Sequence, residues 1–170
     1  MEGIYSSIGC GCRKWLSAFL ACTILFCVMT GCSSEGEDTS IRTAIEVGEH
    51  IKQAVNLEKM KQGDMAKLQK LYHIAPEEVE DFILFTSSSN VEADELLVLK
   101  VKDLNQVDVV KENVQKRIEA QTLKFRDYRP EEYHLVEKHV WKAKGQFVLF
   151  VVSKEADQID RAFEEVFNNE

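Results

Sequence analysis

Residues 95–102 read ELLVLKVK, and this stretch decides the fold of the chain. Apart from Glu95 and two lysines it is aliphatic on both alternating faces, which is typical of a strand buried inside a sheet. Residues 146–153, QFVLFVVS, have the same character, since Phe150 and Leu149 point in opposite directions. We therefore predict two central strands that need cover on both faces.

Two further strands and two helices surround these central strands. Residues 81–86 (DFILFT) and 139–144 predict the outer strands, and Lys144-Gly145 predicts a tight hairpin turn. A long helix follows Asn105, and a last helix follows Ser153. The order of elements is therefore ββα-ββα.

This order predicts an α+β fold with an antiparallel sheet of about four strands, a circularly permuted ferredoxin-like sheet. A different α+β sheet is the alternative. One or two helices precede the sheet, the first capped near Thr39 or Ser40 and the second capped by Asp64. We expect the two helices that follow the central strands to cover one face. Helix 41–60 would then cover the other, which otherwise would bind a partner or a second copy.

The N-terminus has the layout of a secretory signal. Arg13 and Lys14 precede residues 15–30, a mostly apolar run without a charge. This run is a little shorter than the ~20 residues of a transmembrane helix. All five cysteines of the chain lie within its first 32 residues. An uncleaved signal anchor is the alternative interpretation.

The end of this run resembles the bacterial lipobox, in which a cysteine receives diacylglycerol and becomes the mature N-terminus. Gly31 precedes Cys32 as in that motif, and Thr30 fits it. Met29 stands where the motif most often has Leu. The resemblance implies that Cys32 is the lipidated residue, and a lipid carrying two acyl chains holds a protein stably on a membrane.

Three segments follow from this interpretation. Residues 1–31 are a lipoprotein signal peptide, and residues 32–40 are the lipidated cysteine with a flexible acidic linker. Residues 41–170 form a single α+β extracytoplasmic domain. We expect the protein to be anchored by its lipid on the extracytoplasmic face of the cell membrane.

The composition limits the classes of partner. The chain of 170 residues is 45% hydrophobic and 29% charged, as in an ordinary globular protein. Its net charge of −8 argues against nucleic acid as a partner, because phosphate backbones select basic surfaces. The same charge argues against electrostatic adhesion to anionic lipid.

Two long stretches resemble a known bacterial lipoprotein family. VEADELLVLKVKD at residues 91–103 and KRIEAQTLKFRDYRPEEYHLVEKHVWKAKGQFVLFVVSKEAD at residues 116–157 are similar to the domain of unknown function numbered 4358. The resemblance spans about residues 64–168. It implies an exported, lipid-anchored protein of Gram-positive bacteria, and it implies no activity and no functional residues.

Four polar residues stand where the pattern predicts burial. Glu95 and Lys100 lie on a central strand, and Arg117 and Gln121 lie on or beside the inward stripe of the long helix. Buried charges require partners, so these residues predict a polar pocket between helix and sheet. The alternative is that their long side chains reach the domain edge or pair there.

No other group of residues predicts chemistry. Asn90, Glu92, Asp94 and Glu95 provide oxygens for calcium, but without the glycine of a calcium loop a solvated acidic rim is the preferred interpretation. The chain has no metal, cofactor or nucleophile motif.

We therefore expect a non-catalytic binding or interaction module at the bacterial cell envelope, which binds a protein, a peptide or a small ligand. A surface hydrolase or transferase that uses Glu95 is one alternative. The other is a structural protein that forms a homodimer through the second sheet face.

Overall fold

The two predicted central strands pair with each other in the computed structural model, which describes residues 43–168. They form an antiparallel ladder in which Glu95 faces Val152 and Lys100 faces Phe147. Every residue of both strands is buried. Their aliphatic character on both faces therefore reflects helices packed above and below them.

The described residues form five helices, five strands and one short 3₁₀ turn. In chain order these are α1 (Ala44–Ala54), β1 (Met60–Gln62), α2 (Met65–Tyr72), the 3₁₀ turn (Pro76–Glu78), β2 (Val79–Ser87), β3 (Glu95–Val101), α3 (Gln106–Phe125), α4 (Pro130–Glu137), β4 (Val140–Lys144), β5 (Phe147–Val152) and α5 (Ala156–Asn168). The strands lie in the order β1-β2-β3-β5-β4, and every neighbouring pair is antiparallel. The predicted α+β class is confirmed, although the described sheet has five strands rather than about four.

The extra strand is β1 at the edge of the sheet. It pairs with the end of β2, where Met60 faces Ser87 and Gln62 faces Phe85. Three residues are too few to show an alternating pattern, so the sequence analysis missed this strand.

Local capping explains where the first two helices begin. Thr43 Oγ1 accepts the backbone N–H of Glu46 at 3.1 Å, and Glu46 accepts the backbone N–H of Thr43 at 2.9 Å. The helix therefore begins after Thr43 rather than near residue 40, and it ends at Ala54 rather than at residue 60. The cap of α2 is confirmed, because Asp64 Oδ1 accepts the N–H of Lys67 at 2.9 Å.

The sheet separates two apolar layers. Helices α1 and α5 cover one face, and we call their contact with the sheet the α1/α5 layer. Helices α2, α3 and α4 cover the other face and form the α2–α4 layer. The α1/α5 layer includes Val47, Ile51, Ile83, Leu96, Val98, Leu149, Val151, Ile159 and Phe163, and the α2–α4 layer includes Leu68, Leu84, Leu97, Leu99, Val114, Ile118, Phe125, Val136, Val148 and Phe150.

The expectation that both helices following the central strands cover one face is wrong. Helix α3 packs in the α2–α4 layer, whereas α5 packs beside α1 on the opposite face. Five strands about 4.8 Å apart span about 19 Å, and a helix is only about 10 Å in diameter. One eleven-residue helix therefore leaves half of a face bare, and α5 covers that half.

Candidate functional site

Glu95 is the centre of a buried hydrogen-bond cluster, and only 1% of its surface is exposed. Arg117 donates from Nε to both carboxylate oxygens at 3.1 Å and from Nη2 to Oε2 at 2.6 Å. Gln121 Nε2 donates to Oε2 at 2.6 Å, and the Tyr72 hydroxyl donates to Oε1. We call Tyr72, Glu95, Arg117 and Gln121 the Glu95 cluster.

Three elements bring this cluster together. Arg117 and Gln121 are four residues apart on α3, so both side chains lie on one face of that helix. Tyr72 is the last residue of α2, and Glu95 is the first residue of β3. The cluster therefore joins two helices of the α2–α4 layer to the central strand of the sheet.

Burial and charge fix the protonation states in the cluster. Burial lowers the pKa of Arg117, but the hydrogen bonds and charge of Glu95 outweigh this effect and leave that pKa above its usual value. Burial, reinforced by the charge of Glu95, raises the pKa of the Tyr72 hydroxyl well above its usual value. At neutral pH Arg117 is therefore charged, and Tyr72 keeps the proton that it donates.

These contacts limit the chemistry of Glu95. A carboxylate has about four lone-pair sites, and protein donors bond both oxygens of Glu95 more than once. A general base must reach a substrate proton with a free lone pair. The Glu95 carboxylate is therefore suited to holding α2, α3 and β3 together rather than to proton transfer.

Lys100, the fourth residue predicted for this pocket, lies on the other face of the sheet. It is 3% exposed, and its Nζ is 3.0 Å from Glu80 Oε1 and 5.4 Å from the centre of the Phe147 ring. Residues an odd number of positions apart on a strand point to opposite faces, so Lys100 could not join Glu95. The structure brings three of the four predicted residues together.

A cleft of about 340 Å³ opens beside the Glu95 cluster, at the end of the sheet where β2 stops and β3 starts. Its cationic side chains are Lys61 on β1, Lys67 on α2, and Arg117 and Lys124 on α3. Lys67 Nζ donates to Thr86 Oγ1 at 2.6 Å, which holds this ammonium group against the sheet. We call this site the lysine cleft.

A second cleft of about 480 Å³ adjoins the first, because Ser87, Glu92 and Asp94 line both. We call it the carboxylate cleft, since acidic side chains predominate among its charged groups. Its remaining charged residues are Glu58, Lys59, Glu132, Lys154 and Glu155. The pKa of Asp94 is raised, chiefly by burial and to a smaller extent by the nearby charges of Glu132 and Glu92.

The acidic residues considered for calcium do not converge on one point. Glu95 faces its own cluster, and Glu92 Oε2 accepts the hydroxyl of Ser87 at 2.6 Å. Within residues 43–168, no group of three or more His, Cys, Asp and Glu side chains is arranged to hold a metal ion.

Comparison with known families identifies the family of this chain. The model of the domain of unknown function DUF4358 matches residues 53–153, more than half of the chain. The chain belongs to the DUF4358 family. No curated protein and no solved structure matches it.

The DUF4358 match includes the whole sheet and the Glu95 cluster. All five strands lie between residues 53 and 153, whereas α5 and most of α1 lie outside this range. The lysine cleft is also formed within the matched region, while Lys154 and Glu155 of the carboxylate cleft lie just beyond it.

Sequence reasoning missed several residues of this DUF4358 site. By sequence Tyr72 is an ordinary aromatic residue of α2, and the one signal for its role is that a buried tyrosine hydroxyl usually has a hydrogen-bond partner. Lys61, Lys67 and Lys124 are ordinary surface lysines by sequence, and they are separated by up to 63 positions. Only the tertiary structure brings them to one cleft.

The predicted lipidation site, Met29, Thr30, Gly31 and Cys32, lies outside the described residues. Within the part of the chain that the structure does describe, no helix is both long enough and apolar enough to cross a membrane.

Proposed function

We propose that this DUF4358 protein is a non-catalytic binding module, held by a lipid on Cys32 at the extracytoplasmic face of the bacterial cell membrane. Its ligand occupies the lysine cleft and the adjoining carboxylate cleft. The observation that carries the proposal is a charged cleft built on a rigid floor, in which the buried carboxylate of Glu95 is fully engaged by protein donors.

The size and rigidity of the site support binding. The two clefts measure about 340 and 480 Å³, within the range of about 300–1,000 Å³ in which small-molecule sites fall. The Glu95 cluster fixes α2 and α3 on either side of the lysine cleft. A site that is already ordered loses less conformational entropy when a ligand binds.

Support for the anchor comes from the sequence. A basic segment, an apolar run without charge, and a small residue before Cys32 are followed at once by a polar acidic linker. Removal of residues 1–31 would leave Cys32 as the only cysteine of the chain. Its sulfur is then available for the lipid and has no partner for a disulfide.

Intact mass spectrometry of the native protein tests the anchor. We expect the mass of residues 32–170 plus a diacylglycerol group on Cys32, and we expect the Cys32→Ser variant to retain residues 1–31. A native mass that includes the first 31 residues would instead support the signal anchor.

Site-specific photo-crosslinking tests the binding site. A photoreactive amino acid placed at Asn90, which lines the lysine cleft, should capture a ligand in membranes that carry the full-length protein. The same group placed at Glu112, an exposed residue of α3 outside both clefts, is the matched control. Equal products from both positions, or none from Asn90, would contradict the proposal.

The two alternatives make different predictions. A hydrolase or transferase that uses Glu95 would show turnover that Glu95→Gln abolishes while the fold is retained. A homodimer of the predicted kind needs a bare sheet face. Residues 43–168 present no such face, because helices cover both sides of the sheet. Light scattering on the full chain in detergent, with expected monomer mass, tests self-association.

The relation to a permuted ferredoxin-like sheet is a separate proposal. The strand order β2-β3-β5-β4 and the antiparallel pairing support it. The position of α5 on the face opposite α3 counts against it.

A further inference from the structure

We infer that the lysine cleft and the carboxylate cleft form one site for a short zwitterionic ligand, a peptide or amino-acid derivative with a free carboxylate and a free ammonium group. The inference rests on the proposed binding function and specifies its ligand. The ligand carboxylate lies in the lysine cleft, and the ligand ammonium lies against Asp94 and Glu92, which separate the two clefts.

The charges of the two clefts are separated by sign. Apart from the residues that they share, the lysine cleft has four cations and one carboxylate, and that carboxylate is Glu95, which is already bonded to Arg117. The bonds to Glu95 come from Nε and Nη2 of Arg117, so Nη1 is not committed to them. Cations that are not neutralised by protein carboxylates provide a binding site for an anionic group.

The carboxylate cleft has the opposite balance. Counted in the same way, without the shared residues, it has three carboxylates and two lysines, and the shared Glu92 and Asp94 lie between the two clefts. Asp94 is partly buried near Glu132 and Glu92, and its pKa is raised for this reason. A ligand ammonium beside Asp94 would reduce the repulsion among these carboxylates, which a ligand with only an anionic group could not do.

One buried acceptor adds to the argument. Gln121 lines the lysine cleft and is 3% exposed, and its Oε1 has no hydrogen-bond partner among the described residues. A buried acceptor without a partner is destabilising, so a donor on the ligand would be favoured at this position. A peptide offers N–H donors close to its carboxylate, whereas a simple anion such as phosphate has far less donor capacity.

Saturation-transfer NMR on the full-length protein in detergent tests this ligand class. The probes are L-alanyl-L-alanine, its N-acetyl derivative and its C-terminal amide, each at millimolar concentration. We expect the free dipeptide to bind, and we expect each blocked form to bind at least about tenfold more weakly, since each has lost one charge-assisted contact of about 1.4 kcal/mol.

Matched variants locate the two ends of the ligand. Lys67→Met should weaken binding of the free dipeptide about tenfold, whereas Lys70→Met, an exposed position on the same helix, should not change it. Asp94→Asn should weaken it to a similar extent, with the exposed Asp157→Asn as control. Circular dichroism of each variant checks that the fold is retained.

The outcomes separate this inference from the proposed function. Binding of the N-acetyl derivative as tightly as the free dipeptide would mean a simple anion site, and equal binding of the amide would mean a simple cation site. Either result overturns the zwitterion inference. No dipeptide binding, together with a ligand captured from Asn90, also overturns it but leaves the proposed function standing.

Discussion

The substitution Glu95→Gln tests the central contact of the site most directly. It preserves the size of the side chain but removes its charge, and it replaces one acceptor oxygen with an NH₂ donor. Arg117 then has no counter-charge in this cluster, although only 21% of its side chain is exposed. The donors of Tyr72 and Gln121 compete for one remaining carbonyl oxygen.

The expected loss of stability is large for a single substitution. Removal of one partner from a buried ion pair lowers the free energy of unfolding by about 3–5 kcal/mol. Whole domains have a free energy of unfolding of about 5–15 kcal/mol. For a domain of this size the melting temperature should therefore fall on the order of 10–20 °C.

Urea denaturation followed by circular dichroism measures this loss on the full chain in detergent. Glu112→Gln is the matched control, since Glu112 is exposed on α3, and it should change stability by less than about 0.5 kcal/mol. The double variant Glu95→Gln/Arg117→Met should lose less than the sum of the single losses, by at least about 1.5 kcal/mol, because no charge is left unpaired.

Two results would refute the reasoning. A Glu95→Gln protein within about 1 kcal/mol of the native stability would mean that the carboxylate is not enclosed by donors. Strict additivity in the double variant would mean that Glu95 and Arg117 do not interact.

Three further predictions concern titration and packing. Because the pKa of Tyr72 is raised, the unfolded chain loses this proton at a lower pH than the folded chain. The free energy of unfolding should therefore fall by up to about 1.4 kcal/mol per pH unit above about pH 10. Urea midpoints measured from about pH 8 to about pH 11 should decline less steeply for Tyr72→Phe than for the native chain. Equal slopes would contradict the buried hydroxyl. The pKa of Asp94 is also raised, which means that the fold disfavours its charged form. Asp94→Asn should therefore be more stable than the native chain at neutral pH. This difference should disappear as the pH falls through the pKa of Asp94. A native chain that is more stable than Asp94→Asn at neutral pH would contradict this prediction. Finally, a Cβ at Gly48 would lie 2.3 Å from Ile83 Cδ1. Gly48→Ala should therefore be destabilising by about 1–2 kcal/mol, despite the better helix propensity of alanine. The loss should be smaller in an Ile83→Val background, because valine lacks this methyl group. An equal loss in both backgrounds would exclude contact with Ile83 as the cause.

Much of the sheet could be predicted because its signals are local. The central strands, the hairpin at Gly145 and the cap at Asp64 each depend on a few consecutive residues whose pattern has one good structural solution. The edge strand β1 could not be predicted in this way, since its three residues are held by pairing with β2 and not by a pattern of their own.

The polar pocket, like the sheet, could be predicted only in part from the sequence. Burial of Glu95 and Gln121 follows from their positions in apolar patterns, and the grouping of Glu95 with Arg117 follows from the need of a buried charge for a partner. The same need was met for Lys100 on the other face, where Glu80 lies 3.0 Å away. The parity of positions along β3 by itself places Glu95 and Lys100 on opposite faces of the sheet.

The amino-acid sequence by itself determined the α+β class, the membership of the DUF4358 family and the identity of the two central strands. The class and the central strands depend on short-range periodicity and on the burial of apolar residues, which neighbours along the chain suffice to specify, whereas the family membership rests on the match of residues 53–153 to the family model. Only the tertiary structure decided which face each helix covers, that Tyr72 completes the Glu95 cluster, and that lysines from β1, α2 and α3 line one cleft. Those features depend on packing between segments that are distant in sequence, where the space left by one helix determines the position of the next.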